Sequence, residues 1–336
     1  MEPINHQTKI NAAEYASIWS QYINDSLSHC VLRYLLNDTK DENIRDLLQF
    51  ALELSETHLE KTKQFLNQEN LPIPIGFTDQ DVTIDAPSLF TDTFKIVYLH
   101  IMAIHGLTRY AGATSVSIRE DIRKYFIKCT SQTLDLYDRI TNVSLQKGII
   151  NKPPSLNNQQ TIDFEKKQSY LTGWFGKRRP INAIEISGVH LNMQKTMMKM
   201  VLELGFSQVC QSKELRDYME RARKICIKHF DILGSMLKED NLHVSKSFDS
   251  EVTDSKVPPF SDKLMLFHIV TLLSAALGYY SEALSMSQRR DLSADYARMN
   301  TEIALVAEDG INLLIEKGWM EQPPTAADHE GLAKDK

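Results

Sequence analysis

Over residues 15–35 the apolar side chains Tyr15, Ile18, Trp19, Tyr22, Ile23, Leu27, Cys30, Val31, Tyr34 and Leu35 return at intervals of three and four. That is the spacing of one face of an α-helix. Asn11, with Glu14 three residues on, marks its start, because such a pair can satisfy the first free backbone N–H groups reciprocally. Asn37-Asp38 closes it. A second helix runs from Asp41 to about Gln68, with Leu47, Leu48, Ala51, Leu54, His58, Thr62 and Phe65 on its inner stripe. The period then fails: Pro72, Pro74, Gly76 and Pro87 exclude a continuous helix. A third helix, more apolar than its neighbours, spans about 88–113. Ser117-Ile118-Arg119-Glu120 reads as a capping box opening a fourth, which ends at Lys147-Gly148.

The pattern then repeats. Leu66, Glu69, Asn70 and Leu71 recur as Leu237, Asp240, Asn241 and Leu242, 171 positions later, and Phe90 and Asp92 recur as Phe260 and Asp262, 170 positions later. Ile10-Asn11-Ala12 returns as Ile181-Asn182-Ala183, and Lys147-Gly148 with Pro153-Pro154 as Lys317-Gly318 with Pro323-Pro324. The second set of helices falls near 182–208, 212–239, 259–287 and 290–317. The reading is all-α: two tandem four-helix bundles at 8–150 and 181–324, joined by 151–180 and followed by a disordered tail at 325–336. Short loops make antiparallel neighbours, whereas the connectors at 69–88 and 240–258 are long enough to cross a bundle's length, the ferritin-like connectivity.

Within the linker, 151–160 is polar and proline-bearing. At 169–180, Tyr170, Trp174 and Phe175 lie among glycines and precede Lys177, Arg178 and Arg179. The expectation is an aromatic plug between the bundles, with the cations facing water or a helix C-terminus. An anion or partner site is the alternative.

Composition narrows the function. The chain has 336 residues, 42% apolar and 24% charged, as in ordinary soluble domains. A net charge of −6 argues against a nucleic-acid surface, which needs a basic face. The first residues carry no apolar signal segment. The most apolar window, 265–280, is shorter than a membrane span and reads as a buried helix. Cys30, Cys129, Cys210 and Cys226 all lie in helical patterns among apolar neighbours, implying reduced, buried thiols and a cytoplasmic setting. No phosphate loop, dinucleotide fingerprint or nucleophile elbow occurs.

A di-metal bundle needs inward carboxylates and Glu-x-x-His pairs. Here Ser26 takes the inward position on the first helix, with Asp25 pointing away. The second helix offers Ser55-x-x-His58 and its repeat Cys226-x-x-His229. Asp135 and Asp138 lie off the apolar face of the fourth. His58 and His229 are equivalent, and each reads as a structural imidazole bonded to a tyrosine or serine of a facing helix. A sharper alternative gathers His190, His229 and His268 with Glu302 or Asp309 into a mononuclear metal site, leaving His58 and His105 in the first half. Met193, Met197 and Met198 read as core filler. No catalytic, cofactor-binding or metal-ligating residue is assigned, and no cofactor is implied.

The strings LPIPIGFT at 71–78, LTGWFG at 171–176, RRPINAIE at 178–185 and GWMEQPP at 318–324 are similar to those of an uncharacterised family of tandem ferritin-like proteins from endospore-forming bacteria, related to spore coat proteins. The resemblance covers about 8–325. It implies the fold and an association with sporulation, and supplies no catalytic or binding residues. The expected role is a non-enzymatic structural or interaction protein, cytoplasmic or spore-associated. It would have an unidentified protein partner or self-associate, without nucleic acid and without membrane insertion. Alternatives are a metal-binding or redox protein using the buried histidines and a carrier of a small apolar ligand.

Overall fold

In the computed structural model, which describes residues 9–156, 162–174 and 178–329, the predicted periods become eight long α-helices. They are α1 (Ala12–Asn37), α2 (Glu42–Gln68), α3 (Asp92–Val116), α4 (Glu120–Gln146), α5 (Ala183–Val209), α6 (Lys213–Lys238), α7 (Asp262–Met286) and α8 (Arg290–Glu316). No strand occurs among the described residues, only two isolated bridges. Each repeat is a bundle of two helical hairpins: α1 packs on α2 and α3 on α4, with α1 also against α3 and α2 against α4, and the second repeat does the same.

The helix starts follow the sequence closely. Asn11 and Asn182 each accept from the backbone of their first turn, and Glu14 and Glu185 reach back to complete capping boxes. The box expected at Ser117–Glu120 does not form. α4 has Arg119 at its N-cap with no side-chain cap bond, and the Ser117 hydroxyl turns back to the Ala113 carbonyl. Instead Glu14 of α1 accepts from the Ile118 and Arg119 amides at 2.8 and 2.7 Å. Glu185 repeats this at Gln288 and Arg289. A carboxylate serves two helix N-termini at once, favoured by both helix dipoles.

The two repeats clasp each other through their crossovers about a pseudo-twofold axis. Val82 bridges Phe260, and Phe90 bridges Val252. The Thr83 amide donates to the Pro259 carbonyl at 2.8 Å and Thr253 to Leu89 at 2.9 Å, while Thr91 donates to Glu251 and Ser261 to Asp81, both at 3.0 Å. Every bond has its mate 170 positions away, the self-complementary pattern of a twofold interface. Beyond the glycines that end α4 and α8, Gly148 and Gly318, both with φ near +66°, each repeat reaches over the other. Asn151 takes the Gln194 side chain and Lys246 amide, and Glu321 takes the Ile75 and Gly76 amides.

The buried apolar residues form two clusters. The larger runs through the second repeat, the clasp and the adjoining part of the first. The smaller, Ile18, Phe65, Leu66, Ile122, Tyr125, Phe126 and Cys129, sits at the far end of the first repeat. All four cysteines are free and buried, as expected. The apolar helix α7 is long and apolar enough by composition to cross a membrane, and most of that stretch is buried inside the second repeat. The interdomain plug is corrected: Trp174 is 60% exposed. Tyr170 instead lies under the Arg179 guanidinium, whose fork grips Glu185. Phe175 lies outside the described residues, as does 330–336 of the expected tail.

Candidate functional site

His58 and His229 occupy matching places on α2 and α6, and each meets a tyrosine of the third helix of its repeat. Tyr110 O–His58 Nδ1 and Tyr280 O–His229 Nδ1 both measure 3.3 Å. The expected tyrosine partner is therefore present twice. Their charge states differ. Burial opposes charging His58, but the Asp25 carboxylate, 3.4 Å away, and Cys129 more than offset it, raising the imidazole to about 10. Burial lowers His229 to about 4 despite Glu302 at 2.9 Å. A neutral His229 therefore donates through Nε2–H to Glu302, and Lys228 balances that carboxylate. Tyr280 then donates to His229 Nδ1, whereas Tyr110 accepts from His58.

Asp25 does not point away, contrary to the reading from the helical period. It is buried at 7% exposure against His58, and Ser26, also buried, faces the crossover, where its Oγ accepts from the Phe77 amide. Both are inside because α1 is covered on two sides, by its own bundle and by the connector.

A second inward carboxylate was also missed. Glu203 on α5 is fully buried, accepts from Cys226 Sγ at 3.5 Å, and burial raises it to about 8, so it is protonated at neutral pH. The proposed group of His190, His229 and His268 does not assemble. His190 bonds Gln194, His229 bonds Glu302, and His268 meets Tyr98 of the other repeat at 3.3 Å. Asp309 pairs with Arg221 at the surface. Among the described residues no three His, Cys, Asp or Glu side chains converge on a point where a metal could sit. Met193, Met197 and Met198 are core, as read.

The larger asymmetry between the repeats lies between their first and third helices. In the second repeat α5 and α7 close on each other. In the first, α1 and α3 stand apart around a cleft of about 460 Å³, which adjoins recesses of about 230 and 90 Å³ through shared lining residues. The cause is side-chain size. Ser20, Asn24, Ser28 and Gly106 line the cleft, where the second repeat carries Leu191, Lys195, Lys199 and Ala276. Lys195 and Lys199 are buried, and Lys195 lies over the Tyr279 ring; burial pushes its ammonium down to about 6, so it fills space with little charge.

Leu27 of the larger apolar cluster and Phe126 of the smaller wall the cleft, with Met102 and Leu272. Into it project polar groups lacking partners: Gln21 Oε1, His105 Nε2 and His268 Nδ1 are buried and unbonded. Arg109, also on the wall but solvent-exposed, has no hydrogen bond or ion pair with the protein. Buried polar atoms rarely stay unpaired, so their convergence on one cavity marks a place for a ligand.

Fold and cleft together describe an all-α tandem-repeat protein with one filled and one open repeat. The chain belongs to the DUF3231 family of proteins of unknown function, whose model matches 1–162 and 169–332, one copy per repeat. No curated protein matches the chain. Among solved structures, a Bacillus halodurans protein described as a "putative spore coat protein" is similar at 18% identity and a TM-score of 0.42, over 45% of this chain and 98% of that one.

Proposed function

We propose that the chain is a non-enzymatic binding protein, in which the second repeat is a filled scaffold and the first holds a small molecule between α1 and α3. One observation carries this reading: the same place is packed shut in one repeat and open, with unpaired polar groups, in the other. A volume near 460 Å³ is within the usual range for small-molecule sites. The pairing of α1 with α3 and α2 with α4, with the long connector between α2 and α3, supports the ferritin-like connectivity as the frame. The family resemblance adds sporulation as the setting, and a structural or interaction role there is compatible with a binding cleft; transcript timing through sporulation tests that part.

The cleft itself is tested with the neutral dye Nile red. Full-length protein should take up the dye with a blue-shifted, saturable emission, and Ser20→Phe, which fills the cleft, should abolish it while the helical circular dichroism is unchanged. Equal uptake by the variant would refute the site.

A further inference from the structure

The polar groups of the cleft are not evenly mixed in charge. Asp25 is the carboxylate on its wall, and His58 already engages it. Arg109 has no acceptor. His105, one turn before Arg109 on α3, is held well below the usual imidazole range, first by burial and then by the nearby basic side chains, Arg109 and Lys199 among them. His268 is 3% exposed and neutral; its Nε2 meets the Tyr98 hydroxyl at 3.3 Å, and with Tyr98 donating there, Nδ1–H is left as a donor facing the cleft. Arg109, His105 and His268 thus give the cleft one donor-rich, cationic corner. Leu27, Met102, Phe126 and Leu272 supply the apolar part of the wall, beside the small polar side chains of Ser20, Asn24 and Ser28.

Resting on the binding reading above, we infer that the ligand is an amphipathic carboxylate: an anionic head taken by Arg109 and the His268 Nδ1–H, and a single acyl-type chain along Leu27, Met102 and Phe126. A guanidinium fork matches a carboxylate's two oxygens. An uncharged head would forgo the charge-assisted pair that Arg109, exposed and without a protein partner, can offer. A dianion would bring more charge than one guanidinium can balance in a cleft that already holds the Asp25 carboxylate.

The test is isothermal titration of the full-length protein with dodecanoate and, separately, with dodecanol, matched in chain and differing in the head. Dodecanoate should bind about ten- to a hundredfold more tightly, the range expected for a charged hydrogen-bonded pair. Arg109→Met should remove that preference while leaving dodecanol within about twofold, a change near the floor of what affinity measurements separate. Arg109→Lys, which keeps the charge without the fork, should retain part of it, and this second variant guards against misfolding of the first. Equal binding of the two probes, or an Arg109→Met variant that weakens both alike, overturns the carboxylate and leaves the cleft standing. Failure of both probes together with failure of Nile red uptake overturns the cleft and the carboxylate with it.

Discussion

Gly205 of α5 supports the clasp by lacking a side chain. The Phe90 ring, 2% exposed, rests on the α5 backbone there, with Phe94 at 4.8 Å and Phe206 at 6.3 Å between ring centroids. A Cβ at Gly205 would stand 2.7 Å from two atoms of that ring, closer than carbon atoms approach. In an ordinary helix interior, glycine to alanine gains about 1 kcal/mol of helix propensity. Here the clash opposes the gain, and overpacking of a filled core costs about 1–3 kcal/mol, so Gly205→Ala should be neutral to about 2 kcal/mol destabilising. Phe90→Ala removes roughly 2 kcal/mol of transfer free energy and leaves a cavity, about 3–5 kcal/mol in all. In that background the new methyl meets only the flexible end of Leu89, at 3.3 Å, and Gly205→Ala should stabilise by up to about 1 kcal/mol. The second substitution therefore changes sign with the first, a coupling of about 1–3 kcal/mol. Urea unfolding of the four proteins followed by circular dichroism measures it. If Gly205→Ala stabilises the wild type as much as the Phe90→Ala variant, the ring does not lie on α5 and the clasp as described is wrong.

Two further predictions concern buried charge. Nuclear magnetic resonance titration should find His58 protonated until about pH 10 and His229 neutral until about pH 4. The stabilisation from His58 is complete below about pH 6.5 and is lost as pH rises through 10, whereas that from neutral His229 and His268 is present above about 6.5 and lost as pH falls towards 4, up to about 3 kcal/mol each. Unfolding curves of His229→Gln should accordingly show a weaker acid dependence than wild type. Glu203, raised to about 8 by burial, is already protonated at pH 7. Glu203→Gln should then be near neutral at about pH 4.5 and stabilise by up to about 3 kcal/mol at pH 7, where the wild-type side chain must take up a proton on folding. It should also remove the loss that wild type suffers between about pH 4.5 and 8, and a large destabilisation at pH 7 would contradict a neutral Glu203.

The repeat and all eight helices were legible because amphipathic periods and caps are local. Their pairing into two bundles followed from loop length. The clasp was not legible: it is made by backbone groups of Asp81, Thr83, Leu89 and Thr91 and their mates, and backbone bonds leave no residue-type signature. Asp25 was misplaced because one inner stripe was assumed for α1, although adjacent apolar pairs such as Tyr22-Ile23, Cys30-Val31 and Tyr34-Leu35 already indicate a helix covered on more than one side. Trp174 was assigned to the interior on ring size alone, and it stands exposed. The cleft was missed for a different reason, being a lack of side-chain volume rather than a motif. The register of the duplication carries it nonetheless, since Ser20, Asn24 and Ser28 stand where the second repeat has Leu191, Lys195 and Lys199.

A crystal structure of the full chain grown with dodecanoate tests the central asymmetry most directly. The account predicts ligand density between α1 and α3 with its carboxylate end at Arg109, and none between α5 and α7. Density in both repeats alike, or an empty first repeat at saturating dodecanoate, would contradict it.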